Sequence, residues 1–420
     1  MTVAIANMTR MFARGSLLSG LAAYSASEAV TKVSRLVAVI ALARVLTPAQ
    51  VGVVAGALAI SELLKAFTEN GVIQKIISAS ADDLEATCHT ARRINWAWSG
   101  GLFALQVSIA AAFHLATGQV AGPLLIALMA GEYLLMPAGL VQCGLAMREG
   151  KLAGTATVAG AQNVAANLMT AAMVLIWPSP LAVAAARLAS APIWLSGMRR
   201  LRPWAPKAGV IPAPIRPFAR FGAAILGIEF LKVLRMQADK LIIGVLMGPE
   251  ALGIYFFAFN AGLGIANSFS VAFSTVLFPH LCGAANRVAT LRNALAVALV
   301  ALFPIIAVQA LAAPIYVPII FGEKWASVAP LVSILCFAAL PAIVWSAAAQ
   351  WLRSAGRPDV ELVCSVFIAA FVTLGIVVAA PFGLSSVVWS VLVTSVFSQL
   401  VASVAVLFIH VLPQRIRIER

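Results

Sequence analysis

Charged residues at helical spacing inside apolar stretches are the features of this sequence that could do chemistry. The first such stretch carries Glu28, Lys32 and Arg35, spaced four and then three residues apart. This spacing places the three side chains on one face of a helix. Because ionised groups in an apolar environment are costly unless they meet water or a partner, the cluster indicates a polar surface that could bind ions or a charged ligand.

Two more groups have helical spacing, and two single charges complete the set. The groups are Glu62, Lys65 and Glu69, and Glu229, Lys232, Arg235, Asp239 and Lys240; the single charges are Glu132 and Arg187. Basic side chains would hold an anionic group, with arginine favoured for bidentate phosphate contacts. The predicted substrate-binding residues are Glu28, Lys32, Arg35, Glu62, Lys65, Arg187, Lys232 and Arg235.

Carboxylates in such a polar surface could also exchange a proton or a sodium ion and couple an ion gradient to movement. The candidates for ion coupling are Glu28, Glu229 and Asp239. A simpler interpretation stays open, in which Glu28–Lys32 and Glu62–Lys65 only neutralise each other within their own helices. In the same interpretation Lys240 and Glu69 extend to a membrane surface.

The rest of the chain is apolar enough to place these charges inside a membrane. Of the 420 residues 62% are hydrophobic and 10% are charged, whereas a soluble domain carries about 25% charged residues. A crossing needs about 20 residues, and the apolar runs predict twelve all-α spans with no sizeable external domain. Their limits are 17–43, 50–74, 95–115, 121–145, 153–176, 180–198, 219–247, 251–279, 293–320, 327–351, 360–380 and 384–410.

The connections between these spans predict the orientation of the chain. With the N-terminus in the cytoplasm, the cytoplasmic connections and ends carry 20 lysines and arginines, and the opposite side carries only Arg44 and Lys324. Positive residues accumulate on the cytoplasmic side of membrane proteins. We therefore expect both termini in the cytoplasm, and we interpret the net charge of +14 as a topology signal rather than a nucleic-acid surface.

An internal repeat predicts two lobes. Pro48 and Gly52 recur as Pro249 and Gly253, at an offset of 201 residues, and the same offset relates Glu28 to Glu229. Because six spans separate the copies, the repeats are parallel, and such repeats place a substrate path between the halves. The predicted domains are an N-terminal lobe over 1–200, a basic, proline-rich cytoplasmic linker over 201–218 and a C-terminal lobe over 219–420, around a central cavity.

Other functional signals are absent from the sequence. There is no phosphate-binding loop, so the chain does not carry its own ATPase. The four histidines lie far apart and the five cysteines form no CxxC pair. We therefore expect no metal site and no cofactor.

Several segments together resemble a known family. They are Leu42 to Gly52 (LARVLTPAQVG), Arg235 to Tyr255 (RMQADKLIIGVLMGPEALGIY), Phe278-Pro279-His280-Leu281, Phe321 to Trp325 (FGEKW) and Leu352 to Arg357 (LRSAGR). In this order they resemble a polysaccharide transporter of the multidrug/oligosaccharidyl-lipid/polysaccharide exporter superfamily.

The resemblance implies a multi-pass flippase of the bacterial inner membrane, not an enzyme. Its substrate would be a polyprenyl-pyrophosphate-linked oligosaccharide, moved from the cytoplasmic to the periplasmic leaflet by alternating access and driven by an ion gradient. The implied partners are this lipid-linked oligosaccharide, a proton or sodium ion, membrane lipids, and the polysaccharide polymerase and chain-length machinery.

Two other functions remain open on the residues alone. A drug/cation antiporter would need an acidic cavity, whereas the spans here hold seven basic and six acidic residues, a weak preference for an anion. A membrane glycan polymerase would need a large external loop with catalytic residues, and the predicted external connections are short and nearly uncharged.

Overall fold

The computed structural model describes residues 16–284 and 286–407, with side chains from residue 30 onward except at 220, 221, 224, 228, 265 and 275. This part of the chain contains α-helices and short 3-10 turns, and no strand. The helices are α1 (Ser16–Val45), α2 (Pro48–Lys65), α3 (Val72–Ser78), α4 (Leu84–Thr117), α5 (Ala121–Met129), α6 (Glu132–Leu135), α7 (Pro137–Arg148), α8 (Leu152–Ile176), α9 (Leu181–Leu201), α10 (Arg216–Gly283), α11 (Arg287–Phe321), α12 (Ala329–Phe337), α13 (Ala339–Ser354), α14 (Pro358–Ala379) and α15 (Leu384–Val406).

Many of these helices are long and apolar enough to cross a membrane. Nine segments of the described residues qualify, and a tenth is formed if α5–α6 and α7, which meet at a bend of 51°, make one broken span. The all-α, multi-pass membrane fold predicted from composition is therefore confirmed. The number of twelve crossings and the side of each terminus stay predictions.

The start of α2 shows how a short motif determines a helix boundary. Thr47 and Gln50 bond reciprocally: the Thr47 N–H donates to Gln50 Oε1 at 3.0 Å, and the Gln50 N–H donates to Thr47 Oγ1 at 3.3 Å. This capping box satisfies backbone donors that a helix leaves open at its first turn. Pro48 occupies the first helical position, where its missing N–H costs nothing. The sequence LTPAQVG therefore ends one helix and begins the next.

The seventh and eighth predicted spans meet at a sharp break in the structure. α10 runs from Arg216 to Gly283, and its course is interrupted at Gly248, where φ is 84° and ψ is 178°. This backbone conformation is accessible essentially only to glycine. Pro249 follows directly and cannot donate a backbone hydrogen bond. The break therefore lies at the Gly-Pro pair that the sequence places between the two predicted spans.

The described residues group into two compact units. The first unit comprises the residues up to Leu46 and Ala57–Leu234, and the second comprises Thr47–Gly56 and the residues from Arg235 onward. In the first unit α1 packs on α8, and α8 packs on α9. In the second unit α14 packs on α15, and α11 packs on α12 and α13.

Two backbone segments, one in α2 and one in α10, approach each other very closely within the second unit. A Cβ added to Gly52 would lie 1.6 Å from the carbonyl oxygen of Pro249, and a Cβ added to Gly253 would lie 1.9 Å from the carbonyl oxygen of Pro48. The contact is reciprocal between the repeated positions, as expected where two equivalent segments meet about a twofold axis. Glycine at both positions therefore allows the two helices to approach this closely.

The connection after α9 is held against α4 of the same unit. Its residues between Arg202 and Ile215 are not helical. Thr90 Oγ1 donates to the Ala213 carbonyl at 2.7 Å, and Trp204 Nε1 donates to Glu85 Oε1 at 3.2 Å. The proline-rich segment therefore lies along the beginning of α4.

Candidate functional site

Arg187 of α9 lies at the centre of an ionic network in the first unit. Its Nη2 is 2.8 Å from Glu62 Oε1, and its Nε is 3.0 Å from Glu132 Oε1. Arginine presents several donors in a planar fork, which allows it to hold two carboxylates at once. The side chains of Arg187, Glu62 and Glu132 are 20%, 39% and 12% exposed, so the network is partly sheltered and partly accessible.

Lys65 extends this network along α2. Its Nζ is 3.4 Å from Glu132 Oε2, so Glu132 is bound by two cations. Glu62 and Lys65 lie one helical turn apart on α2, yet each finds its close partner on another helix. The alternative in which these two residues only neutralise each other is therefore wrong.

A small cavity of about 10 Å³ adjoins the network. This is about the space that one water molecule needs. The cavity lies among α2, α4, α5, α6 and α9, and its walls are formed by Ser61, Glu62, Lys65, Gln106, Met129, Glu132, Tyr133 and Arg187.

Two of the helices around this cavity, α2 and α6, end beside it, and this brings polar groups together. α2 ends at Lys65 and continues as a 3-10 turn, Ala66–Thr68. α6 is only four residues long, and it presents Glu132 at its start. Trp98 Nε1 donates to the Phe67 carbonyl at 2.7 Å, which holds the end of α2 against α4.

The predicted charges of α1 relate to this network in different ways. Arg35 interacts electrostatically with both Glu62 and Arg187, so the structure brings this predicted residue to the network. Lys32 is half-buried on the same helix. The side chain of Glu28 is not among those that the structure describes.

A second polar group forms around the first part of α10. Lys232 Nζ is 3.1 Å from Glu229 Oε2, a pair within one helix. Glu69 interacts electrostatically with Glu229, Lys232 and Lys65. The rings of Phe67 and Phe230 pack with their centroids 5.0 Å apart. The predicted residues Glu229 and Lys232 therefore lie near the end of α2, next to the Arg187 network.

The remaining predicted charges lie in the second unit. Asp239 Oδ1 is 3.0 Å from Lys240 Nζ, and the Tyr255 hydroxyl donates to Asp239 Oδ2 at 2.9 Å. Lys240 is buried, so its side chain does not extend to a membrane surface as the simpler interpretation has it. Arg235 is exposed. Because Tyr255 follows the break at Gly248, the Asp239–Tyr255 bond joins the two arms of α10.

Sequence reasoning left Glu132 out of the predicted site, together with Ser61, Gln106 and Tyr133. The available signal for Glu132 was its isolation: Glu132 and Arg187 are single, opposite charges in two different apolar stretches. The free-energy cost of placing two opposite charges inside a membrane falls when they form an ion pair. Gln106 gave no signal, because an amide in an apolar helix carries no charge pattern.

The described residues hold no group of three or more histidine, cysteine, aspartate and glutamate side chains arranged to bind a metal ion. The Arg187 network combines two cationic and two anionic side chains. Arginine pairs with carboxylates and with phosphates in the same bidentate geometry.

Comparisons with known proteins identify the class of protein. The profile of the family described as "Polysaccharide biosynthesis protein" matches residues 41–330, which is more than half of the chain. The protein is a multi-pass membrane protein, and it belongs to this polysaccharide biosynthesis protein family.

Curated relatives match parts of the chain. The chain is 26% identical over 159 residues to the lipopolysaccharide biosynthesis protein WzxC of Escherichia coli. This alignment covers 37% of the chain and 32% of WzxC. It is 24% identical over 193 residues to the teichuronic acid biosynthesis protein TuaB of Bacillus subtilis. That alignment covers 44% of the chain and 40% of TuaB. The matches thus span about a third and two fifths of these relatives.

Solved structures share the fold over most of the chain. The lipid II flippase MurJ in an inward closed conformation aligns with a TM-score of 0.73 at 10% identity, covering 92% of this chain and 86% of MurJ. An inward-facing multidrug resistance transporter of the MATE family, in the MOP superfamily, aligns with a TM-score of 0.70 at 12% identity, covering 90% and 93%. The predicted family and fold class are confirmed.

Proposed function

We propose that this protein is a flippase that moves a polyprenyl-pyrophosphate-linked oligosaccharide from the cytoplasmic to the periplasmic leaflet of a bacterial inner membrane. The proposal combines membership of the polysaccharide biosynthesis family with a fold shared with a lipid II flippase. Transport follows alternating access and is coupled to an ion gradient. The polysaccharide polymerase and chain-length machinery are the proposed protein partners.

The Arg187 network is the observation that carries this proposal. A pyrophosphate is a multiply charged anion, and lipid is costly for any unpaired charge. Arg187 and Lys65 hold carboxylates within 3.4 Å, and Arg35 interacts with the same group. These three cations could hold a phosphate in place of a carboxylate, since the geometry of an arginine–carboxylate pair also suits an arginine–phosphate pair.

The proposal is tested with the purified protein in liposomes that contain a fluorescent polyprenyl-pyrophosphate oligosaccharide. Leaflet accessibility is followed with and without a pH or sodium gradient, for the native chain, Arg35→Ala and Arg187→Gln. We expect transfer by the native chain that requires the gradient, and loss of most transfer in both variants. Arg93→Gln, which changes an exposed arginine at the start of α4, is the matched control and keeps native transfer.

An unchanged leaflet distribution with the native protein would contradict the proposal. Exchange of organic cations under the same gradient would then favour the drug/cation antiporter. If Arg187→Gln transfers the substrate as the native protein does, the protein is still a flippase, but the Arg187 network is not part of its binding site.

A further inference from the structure

The two carboxylates of the Arg187 network contact different atoms of the guanidinium. Arg187 Nη2 donates to Glu62 Oε1 at 2.8 Å, whereas Arg187 Nε lies 3.0 Å from Glu132 Oε1. The donors of a guanidinium are separate N–H groups in a fixed fork. One carboxylate can therefore leave Arg187 while the other keeps its own contact.

The two carboxylates are not held equally. Glu132 is bound by Lys65 as well as by Arg187, and its side chain is 12% exposed. Glu62 contacts Arg187 at 2.8 Å, and its side chain is 39% exposed. Glu62 is therefore the carboxylate that a ligand arriving from the exposed side can replace.

The small size of the adjoining cavity makes such a replacement necessary. The cavity holds about 10 Å³, which is roughly the space of one water molecule. A phosphate group is larger than a water molecule, so it cannot enter without moving a side chain that lines the cavity. Both carboxylates and Arg187 are among the lining side chains, and of the two carboxylates Glu62 is the more exposed.

A displaced Glu62 has another cation within reach. Lys65 lies one helical turn further along α2, a spacing at which a carboxylate and an ammonium group can pair. Lys65 already interacts electrostatically with Glu62. Because an ammonium group has three donors, Lys65 can hold Glu62 in addition to Glu132. Glu62 thus stays ionised and paired when it leaves Arg187, and the exchange needs no proton.

We propose that Glu62 is an internal counter-anion, which occupies Arg187 in the empty protein, gives way to a phosphate-type group of the substrate, and returns to Arg187 when the substrate leaves. This inference rests on the proposed function, because it requires an anionic substrate at Arg187. Glu62, predicted from the sequence as a substrate-binding residue, then competes with the substrate instead of holding it. Since differences in affinity at one site lie mostly in the dissociation rate, such a competitor also speeds release.

The test measures the binding of inorganic pyrophosphate to the full chain in lipid nanodiscs by calorimetry. The amide of Glu62→Gln can still accept from Arg187 but carries no charge. We expect this variant to bind pyrophosphate about tenfold more tightly than the native protein, because the anion no longer replaces a charge-assisted hydrogen bond.

Glu62→Asp separates the contact from the charge. It keeps the negative charge and shortens the side chain by one methylene, so its carboxylate reaches Arg187 less well. We expect an affinity for pyrophosphate between those of the native protein and Glu62→Gln. If charge alone set the affinity, Glu62→Asp would equal the native protein.

Glu69→Gln is the matched control, since it makes the same charge change just beyond α2. Glu69 is exposed, and it interacts electrostatically with Glu229, Lys232 and Lys65. We expect its affinity to stay within about twofold of the native value, because salt screens exposed charges. The double variant Arg187→Gln/Glu62→Gln should bind pyrophosphate no more tightly than Arg187→Gln, because the competition takes place at Arg187.

Transfer of the lipid-linked oligosaccharide in liposomes gives a second readout. Glu62→Gln should reach half-maximal transfer at a lower substrate concentration, yet transfer more slowly at saturation, because release is delayed. A purely structural ion pair would instead slow transfer without tightening binding.

The outcomes separate this inference from the function on which it rests. If neither the native protein nor a Glu62 variant binds pyrophosphate, the proposed anion site fails and this inference fails with it. If the native protein binds pyrophosphate and Glu62→Gln binds it equally or more weakly, Glu62 does not compete for Arg187, and the anion site stands. A tightening in Glu69→Gln as large as that in Glu62→Gln would also overturn the inference. If Glu62→Gln does not fold, the comparison of the native protein with Glu62→Asp still decides.

Discussion

Arg187 stabilises two carboxylates on two other helices, and each of these interactions depends on it. Glu62 and Glu132 both lie within 3.0 Å of its guanidinium. Removing one member of a sheltered ion pair costs more than the pair itself contributes, because the remaining charge keeps its desolvation penalty. The network therefore makes the packing of α2, α6 and α9 sensitive to a single side chain.

Arg187→Ala should lower the free energy of unfolding by about 3 kcal/mol, the low end for a buried ion pair that loses one partner, since Glu62 remains 39% exposed. Reversible unfolding in mixed detergent measures the loss. The double variant Arg187→Ala/Glu132→Gln should recover part of it, because it also removes a stranded carboxylate. Equal stability of Arg187→Ala and the native protein would contradict the role of the network.

Glu149 provides a residue whose effect depends on pH. It lies outside the membrane spans, where Lys151 and Arg202 hydrogen-bond its carboxylate and lower its pKa. A carboxylate with a lowered pKa stabilises the fold above its unfolded pKa, and that contribution is lost as the pH falls through the folded pKa. The native protein should thus melt at a higher temperature than Glu149→Gln at pH 7.

This difference in melting temperature should vanish in the acidic range below the ordinary glutamate pKa of about 4.3. Scanning calorimetry across pH measures it. Asp82→Asn, on the exposed turn before α4, is the matched control variant. A difference between native protein and Glu149→Gln that is constant with pH would be evidence against the ionic contact.

At the level of elements, the crossing of α2 with α10 depends on glycine. A methyl group at Gly52 would meet the Pro249 carbonyl oxygen at 1.6 Å. Backbone atoms cannot rotate away as a side chain can, so Gly52→Ala should cost more than the roughly 1–3 kcal/mol of ordinary overpacking. We expect loss of monodisperse protein on size-exclusion chromatography.

Gly100→Ala in α4 is the matched helical control, because an added Cβ there meets no atom within 4 Å. It should leave the yield unchanged and raise stability by up to about 1 kcal/mol through helix propensity. Similar yields for Gly52→Ala and Gly100→Ala would show that the helices do not cross this closely.

For the whole molecule, the predicted orientation can be tested with single cysteines in a background whose five native cysteines are serine. Lys207→Cys lies in the connection after α9, and Lys324→Cys lies in the short 3-10 turn after α11. A membrane-impermeant maleimide should label the first only from the cytoplasmic face and the second only from the opposite face. Labelling of both from the same face would overturn the twelve-span topology.

Most helix limits could be predicted because they follow from local properties. The predicted spans 153–176 and 180–198 coincide closely with α8 (Leu152–Ile176) and α9 (Leu181–Leu201). The predicted spans 219–247 and 251–279 likewise meet at the break that the structure places at Gly248. The main difference is the fourth predicted span, 121–145, which the structure divides into α5, α6 and α7 with a bend of 51° before α7. Hydropathy records where an apolar run is interrupted, but whether the backbone bends or stops there depends on what each arm packs against.

The sequence by itself determined that the chain lies in a membrane, which fold class it has and to which family it belongs. These follow from apolar content, charge spacing and short motifs, which are properties of neighbouring residues. Only the tertiary structure decided the partners of the charges. Glu62, Lys65 and Arg187 were predicted to share one binding surface, but only the structure shows which of these charges pair and that Glu132 joins them. Gln106 joined them for the same reason: which polar groups meet in a cavity depends on helix packing, which no single segment encodes.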